Sequence, residues 1–241
     1  MRLSMRTAYG HWFAAVERLA GLFAGLFPQL LVACLAGGVL TAGPAAAQTP
    51  PGKPVKLVVL GDSLSAGYEL PAQAAFPVRL QKALKDKGID VDMISAGVSG
   101  DTTSAGLARL DWSVPEGTTA VILELGANDA LRGLEPRVPR AALEQILTRL
   151  KARNIAVLLC GMVAPPNYGP DYAAQFNAIY PDLAKTFDVP LYPFFLEGVA
   201  GNARLNLKDG LHPTAEGVDV MVRGILPTVE AFLSAKSGQR S

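Results

Sequence analysis

Two short strings hold the side chains of this chain best suited to covalent chemistry. One is Gly61-Asp62-Ser63-Leu64-Ser65-Ala66-Gly67-Tyr68, and the other, near the far end, is Asp209-Gly210-Leu211-His212-Pro213. A serine hydroxyl is a weak nucleophile until a neighbouring imidazole takes its proton, and a carboxylate fixes the tautomer of that imidazole. Ser63, His212 and Asp209 are therefore what acyl transfer requires, if the fold unites them. Asp209 and His212 are three residues apart. On a tight turn ahead of a helix, that spacing lets the carboxylate meet Nδ1 while Nε2 faces Ser63. Each residue also has a plain structural reading. Ser63 could cap a helix or close a turn, and His212 could be a surface or capping histidine before Pro213.

The elements that must position these residues follow from the apolar pattern. Val55–Leu60, Ile89–Ile94, Thr119–Leu125, Ile155–Met162 and Val189–Tyr192 read as strands. Between them, helical spacing runs over Phe76–Leu84 with a stop at Lys87-Gly88, through Leu107 and Leu110 with Asp101 or Thr102 as cap, over Pro139–Arg153 with Leu143, Ile146, Leu147 and Leu150 on one face, from about Asp171 to Phe187, and from about Thr214 to Ala235. Strands alternating with helices predict a three-layer α/β/α domain around a doubly wound, five-stranded parallel sheet. The polar stretches 61–68, 95–103, 126–129 and 209–213 follow strands, so they share one sheet edge. That places Ser63, Gly100, Asn128, Asp209 and His212 around a common crevice. Taken singly, Asn128 could be a turn residue and Gly100 a positive-φ position. The combination is far more specific than any one of them.

Residues 1–52 differ in character. Their only charges are Arg2, Arg6, Glu17 and Arg18, and an apolar stretch from Leu30 to Gly43 leads into Pro44-Ala45-Ala46-Ala47-Gln48. This pattern predicts a secretory signal cleaved after Ala47, so that the protein is exported to the periplasm or secreted. An uncleaved membrane anchor, since about 20 apolar residues can span, and lipidation at Cys34 are the alternatives. Residues 48–54 read as a Pro-rich linker, and 55–237 as one domain. The leader takes His11 and Cys34 with it, leaving His212 and Cys160 as the mature chain's only histidine and cysteine. That count excludes a disulfide within the chain and a His/Cys zinc site, and no cofactor is expected. Cys160, in the apolar run Ala156–Cys160, reads as a buried thiol. A net charge of +1 without any basic run gives nucleic acid no electrostatic case.

Gly61-Asp62-Ser63-Leu64, Gly100, Asn128 in Gly-x-Asn-Asp, and Asp209-x-x-His212 resemble, in order, the blocks of the GDSL, or SGNH, hydrolases. The likeness spans about residues 55 to 235. Leu125–Gly133, Asn167-Tyr168-Gly169 and Phe187–Phe195 particularly resemble the bacterial branch of multifunctional acyl-CoA thioesterase I/lysophospholipases and arylesterases. The resemblance implies Ser63 as nucleophile, His212 as general base and then acid, and Asp209 as its orienter. It also implies an oxyanion hole formed by the Ser63 and Gly100 N–H groups and the Asn128 amide. One departure is Ala127, where relatives often carry Gly. The expected substrates are small acyl esters, thioesters or lysophospholipids, with transient membrane contact allowed. Leu131, Leu134, Val163, Pro165 and Tyr168, on loops beside the crevice, are candidates for the acyl groove, with ordinary loop packing as the alternative.

Other classes are weaker. The loop at 61–68 lacks both G-x-x-x-x-G-K-[ST] and G-x-G-x-x-G, which counts against phosphate binding. Ser63 also lacks the second glycine of a G-x-S-x-G elbow, unlike α/β-hydrolases. A non-catalytic exported binding protein of the same fold, and an acyltransferase using the same residues, stay open at this level.

Overall fold

A computed structural model describes residues 54–238. The predicted leader, its cleavage site after Ala47, Cys34 and most of the linker lie outside the described residues. The elements in order are β1 (Val55–Gly61), α1 (Ser63–Ala66), α2 (Phe76–Asp86), β2 (Val91–Gly97), α3 (Thr103–Ala108), α4 (Leu110–Ser113), β3 (Ala120–Glu124), α5 (Ala127–Leu131), α6 (Arg137–Ala152), β4 (Ala156–Cys160), α7 (Pro170–Asn177), α8 (Ile179–Phe187), β5 (Leu191–Tyr192) and α9 (Ala215–Gly238).

All five strands are parallel, in the order β2-β1-β3-β4-β5. This is the doubly wound arrangement expected from the sequence. β1 is an interior strand, between β2 and β3, and its Leu57, Val58, Val59 and Leu60 are fully buried, covered on both faces. The chain leaves β1 for β2 on one side and returns through β3 on the other. The crevice beyond the carboxyl ends of β1 and β3 is thus the topological switch point. α2 packs with α9, and α6 with α3 and α8, the two groups that right-handed crossovers put on opposite faces. On α6, Leu143, Ile146, Leu147 and Leu150 are buried at the expected helical spacing. Each such side chain contributes about 1.5–3 kcal/mol before ordering entropy is subtracted.

The structure departs from the sequence expectation in several places, each with a local cause. β2 begins at Val91, because Ile89 closes the end of α2 by donating its N–H to Leu84 O across the positive-φ Gly88. The single helix expected from Asp171 to Phe187 is broken at Ala178. Pro181 has no N–H and its ring would clash with the carbonyl of residue 177, so the helix must stop and restart. The helix expected through Leu107 and Leu110 is divided at Arg109, with Thr102 as its cap. The stretches after β1 and β3 were expected as loops, but each coils into a helix of four or five residues.

Candidate active site

The first side chain of the site is set by the end of β1. Asp62 caps α1, accepting the Leu64 N–H on Oδ1 at 2.9 Å, which makes Ser63 the first helical residue. Being at that position, the Ser63 N–H has no carbonyl behind it, and no protein acceptor faces it among the described residues. Glu124, the last residue of β3, fastens this turn through one oxygen. Its Oε2 accepts the Ser65 hydroxyl at 2.5 Å and the Asp62 N–H at 3.3 Å. Asp62 and Glu124 are both fully buried. Burial pushes the Asp62 carboxyl up to about 6, against the Leu64 and Asn128 donors, and pushes Glu124 well above the usual carboxylate range, aided by Asp62.

The second half of the site is one turn between β5 and α9. The turn is closed by Leu207 N–H on His212 O at 2.7 Å and Thr214 N–H on Leu205 O at 2.8 Å. Asp209 Oδ1 accepts the N–H groups of Leu211 and His212 at 2.9 and 3.0 Å, and its Oδ2 lies 2.6 Å from His212 Nδ1. Partial burial tends to raise this carboxyl, but the Leu211 N–H and both His212 donors outweigh it and hold Asp209 down at about 2. With Nδ1–H given to the carboxylate, Nε2 presents its lone pair, and it lies 2.9 Å from Ser63 Oγ across 149 residues of chain. The ring of Tyr68 lies against the imidazole with centroids 4.3 Å apart. Ser63, His212 and Asp209 are therefore brought together in the order that the chemistry requires.

Two further elements flank Ser63. Asn128 is in the first turn of α5, whose N-terminal cap is Gly126 with φ at +121°. A Cβ there would come within 2.0 Å of the Tyr180 hydroxyl, so only glycine lets the chain turn at this point. α5 is tied to α3 by buried Asp129, which accepts the Thr103 N–H and hydroxyl at 2.8 Å each. The Asn128 amide donates to Asp62 Oδ2 at 3.1 Å and to the Asp101 carbonyl at 3.0 Å. Gly100, at φ +86°, forms the corner of a turn closed by Asp101 N–H on Val98 O at 3.1 Å. Its own N–H has no protein acceptor among the described residues.

Sequence reasoning missed Arg109 and Glu124. Arg109, only 7% exposed, reaches the carboxyl end of β1 and the Gly100 turn together, with Nη2 on Gly61 O at 2.8 Å and Nε on Asp101 Oδ2 at 2.5 Å. Glu124 did leave a signal: a carboxylate inside Val121-Ile122-Leu123-Glu124-Leu125 must have partners or lose its charge. Arg109 left none, since nothing in its neighbours distinguishes it from an exposed helical arginine.

A cavity of about 650 Å³ opens from Ser63, Asn128 and His212 and is otherwise mostly apolar, walled by Leu131, Val163, Pro165, Phe194, Leu196 and Leu211. Ala127 also lines it. Of the five groove candidates, Leu131, Val163 and Pro165 are in the wall, whereas Leu134 and Tyr168 are not. Tyr168 instead donates its hydroxyl to Leu131 O at 3.0 Å, and Tyr172 does the same to Leu134 O at 3.0 Å, bracing this segment from outside. A second cavity of about 490 Å³, near the amino ends of β4 and β5, contains no serine or histidine among its lining residues. Cys160 is fully buried, and burial, with Glu124 nearby, pushes its thiol well above the usual range. Among the described residues no group of three or more His, Cys, Asp or Glu side chains could hold a metal ion.

Comparison with known proteins identifies the family. The model of the GDSL-like lipase/acylhydrolase family matches residues 59–220. Esterase TesA of Pseudomonas aeruginosa is 40% identical over 205 residues, covering 85% of this chain and 98% of the relative. The thioesterase 1/protease 1/lysophospholipase L1 of Escherichia coli K12 is 43% identical over 178 residues, covering 72% and 84%. Among solved structures, AlinE4, a SGNH-hydrolase family esterase, superposes with a TM-score of 0.64 at 45% identity, covering 75% of this chain and 97% of that one. From the strand that leads into Asp62 to the helix that follows His212, the chain belongs to the GDSL-like lipase/acylhydrolase family.

Proposed function

We propose that this protein is a serine esterase, cleaving carboxylic esters and thioesters of apolar acyl groups through an acyl-serine intermediate. The observation that carries the reading is the 2.9 Å approach of His212 Nε2 to Ser63 Oγ, with Asp209 Oδ2 at 2.6 Å from Nδ1. In the first half-reaction His212 takes the Ser63 proton as Oγ attacks the acyl carbon, then gives it to the leaving alcohol or thiol. In the second half it takes a proton from water, which attacks the acyl-serine, and returns that proton to Ser63. Asp209 keeps the imidazole in the required tautomer and balances its charge. The N–H groups of Ser63 and Gly100, which have no protein acceptor among the described residues, receive the oxyanion with the Asn128 amide.

The largely apolar cavity beside Ser63 supports a small-molecule substrate with a hydrocarbon acyl group. The relatives' names span esterase, thioesterase and lysophospholipase, so ester and thioester substrates are both within the reading. An exported enzyme meets esters and lysolipids more readily than acyl-CoA. Short- and long-chain p-nitrophenyl esters, palmitoyl-CoA and lysophosphatidylcholine test this directly, and turnover of the thioester alone refutes the ester reading. A fluorophosphonate probe should label the protein at Ser63. Failure to label the folded protein would favour a non-catalytic binding role. Export itself rests on the basic start, apolar stretch and Ala-x-Ala ending of residues 1–47. N-terminal sequencing of exported protein should begin at Gln48.

A further inference from the structure

We propose that Arg109 is a positioning residue for the oxyanion site, acting through the two loops that it joins; this rests on the reading of Ser63, Gly100 and Asn128 given above. The guanidinium spends its donors in three directions: Nη2 on Gly61 O at 2.8 Å, Nε on Asp101 Oδ2 at 2.5 Å and Nη1 on Ser113 Oγ at 2.8 Å. Gly61 is two residues before the nucleophile, and its carbonyl also accepts the Val98 N–H at 3.1 Å. Asp101 is the joint on the other side. Its carboxylate is on Arg109, its N–H closes the turn that presents Gly100, and its carbonyl holds the Asn128 amide at 3.0 Å. One side chain thereby fixes the spacing between the loops that carry Ser63 and Gly100 and, through the Asp101 carbonyl, steadies the Asn128 amide.

Stability alone is a poor account of this arrangement. A buried ion pair returns little over an apolar pair of the same size, because both charges must leave water. What a guanidinium provides here is a planar fork with fixed angles between its donors. A lysine can neutralise Asp101 but cannot reach Gly61 O and Ser113 Oγ in the same geometry.

The test is a double-mutant cycle in the full chain, measuring kcat and KM on p-nitrophenyl butyrate for Arg109→Lys, Asn128→Ala and the pair, with thermal unfolding of each. Arg109→Lys should lower kcat about 10- to 100-fold, the scale of a displacement near 1 Å, with KM changed by less than about threefold. In the Asn128→Ala background the same substitution should cost less than about threefold, since the site it aligns is already impaired. An equal loss in both backgrounds, a loss expressed in KM, or no loss overturns the proposal. If Arg109→Lys does not fold, Arg109→Met combined with Asp101→Asn removes both charges of the pair and enters the same cycle. If neither folds, Arg109 is a stability residue and the proposal fails. Full activity of Asn128→Ala alone would instead bring down the oxyanion reading on which it stands.

Discussion

Asn128 donates one amide hydrogen to the Asp62 carboxylate at 3.1 Å and the other to the Asp101 carbonyl at 3.0 Å. The side chain expected to meet the oxyanion is thus held by two acceptors within the protein. An oxyanion must share one of these hydrogens, so orientation of the amide is already fixed before substrate arrives. Asn128→Ala should lower kcat by about 10²- to 10³-fold, the usual cost of one oxyanion donor. Its circular dichroism should stay native, and unaltered turnover would remove Asn128 from the site.

Ser63→Ala should remove activity to about 10⁴-fold below the parent or lower, and abolish fluorophosphonate labelling. Asp209→Asn should cost roughly 10²- to 10⁴-fold, because the carboxamide no longer fixes the tautomer of His212. Asp209 is held at about 2, so it stays ionised at any working pH. The acid limb of kcat/KM above pH 4 should therefore contain no contribution from it. The stability that this lowered value supplies is fully present above its unfolded value and is lost as pH falls from about 4 through 2.

The buried Asp62 gives the opposite dependence. Its folded value, about 6, lies above the ordinary 3.8, so between those values the native chain holds a proton that the unfolded chain has released. Stability from this group therefore decreases as pH rises from 4 through 6. Thermal unfolding should show the parent losing on the order of 3 kcal/mol relative to Asp62→Asn between pH 4 and pH 7. Glu124, also raised, acts in the same direction. A flat difference between the two proteins across that range would contradict the burial argument.

Gly126→Ala places a methyl 2.0 Å from the Tyr180 hydroxyl, which itself donates to Leu125 O at 2.9 Å, in a backbone conformation with φ at +121°. Strain and overpacking should together cost about 2–5 kcal/mol. A fall in Tm of several degrees or more is the expected reading, with activity lost at temperatures where the parent is fully folded.

Tyr68, 40% exposed, packs against the His212 ring with centroids 4.3 Å apart and the planes tilted by 34°. Tyr68→Phe retains the ring and should leave kcat within about twofold. Tyr68→Ala removes an aromatic contact of about 0.5–1.5 kcal/mol that steadies the imidazole, and should lower kcat about 2- to 10-fold. Equal rates in the two variants would show that the ring has no part in placing His212.

How much of this was legible beforehand depended on the range of the interaction. The interior strand β1 was readable from Leu57 to Leu60 because a run covered on both faces must be apolar throughout. The pairing of Ser63 with His212 was readable because the loops that carry them follow strands of one parallel sheet. The helices that begin at Ser63 and Ala127 were not, since four or five residues are too few to display a period. The break at Ala178 was written in Pro181, which lies inside an otherwise continuous apolar pattern. Leu134 and Tyr168 fell on the expected loops but outside the cavity wall, because which side of a loop faces inward is decided by contacts such as Tyr168 with the Leu131 carbonyl. Arg109 was beyond reach for a related reason: its partners Gly61 and Ser113 are meaningful only once three segments are assembled.

Because Asp209 and His212 share a single short turn, whose own N–H groups already clasp the acid, the carboxylate–imidazole pair comes preassembled in a few consecutive residues. The tertiary structure is left with one alignment to achieve, bringing that ready-made piece up to the alcohol at the opposite end of the sequence. Loop exchanges that transplant 209–213 as a block therefore stand a better chance of yielding working hybrids than grafts that divide it.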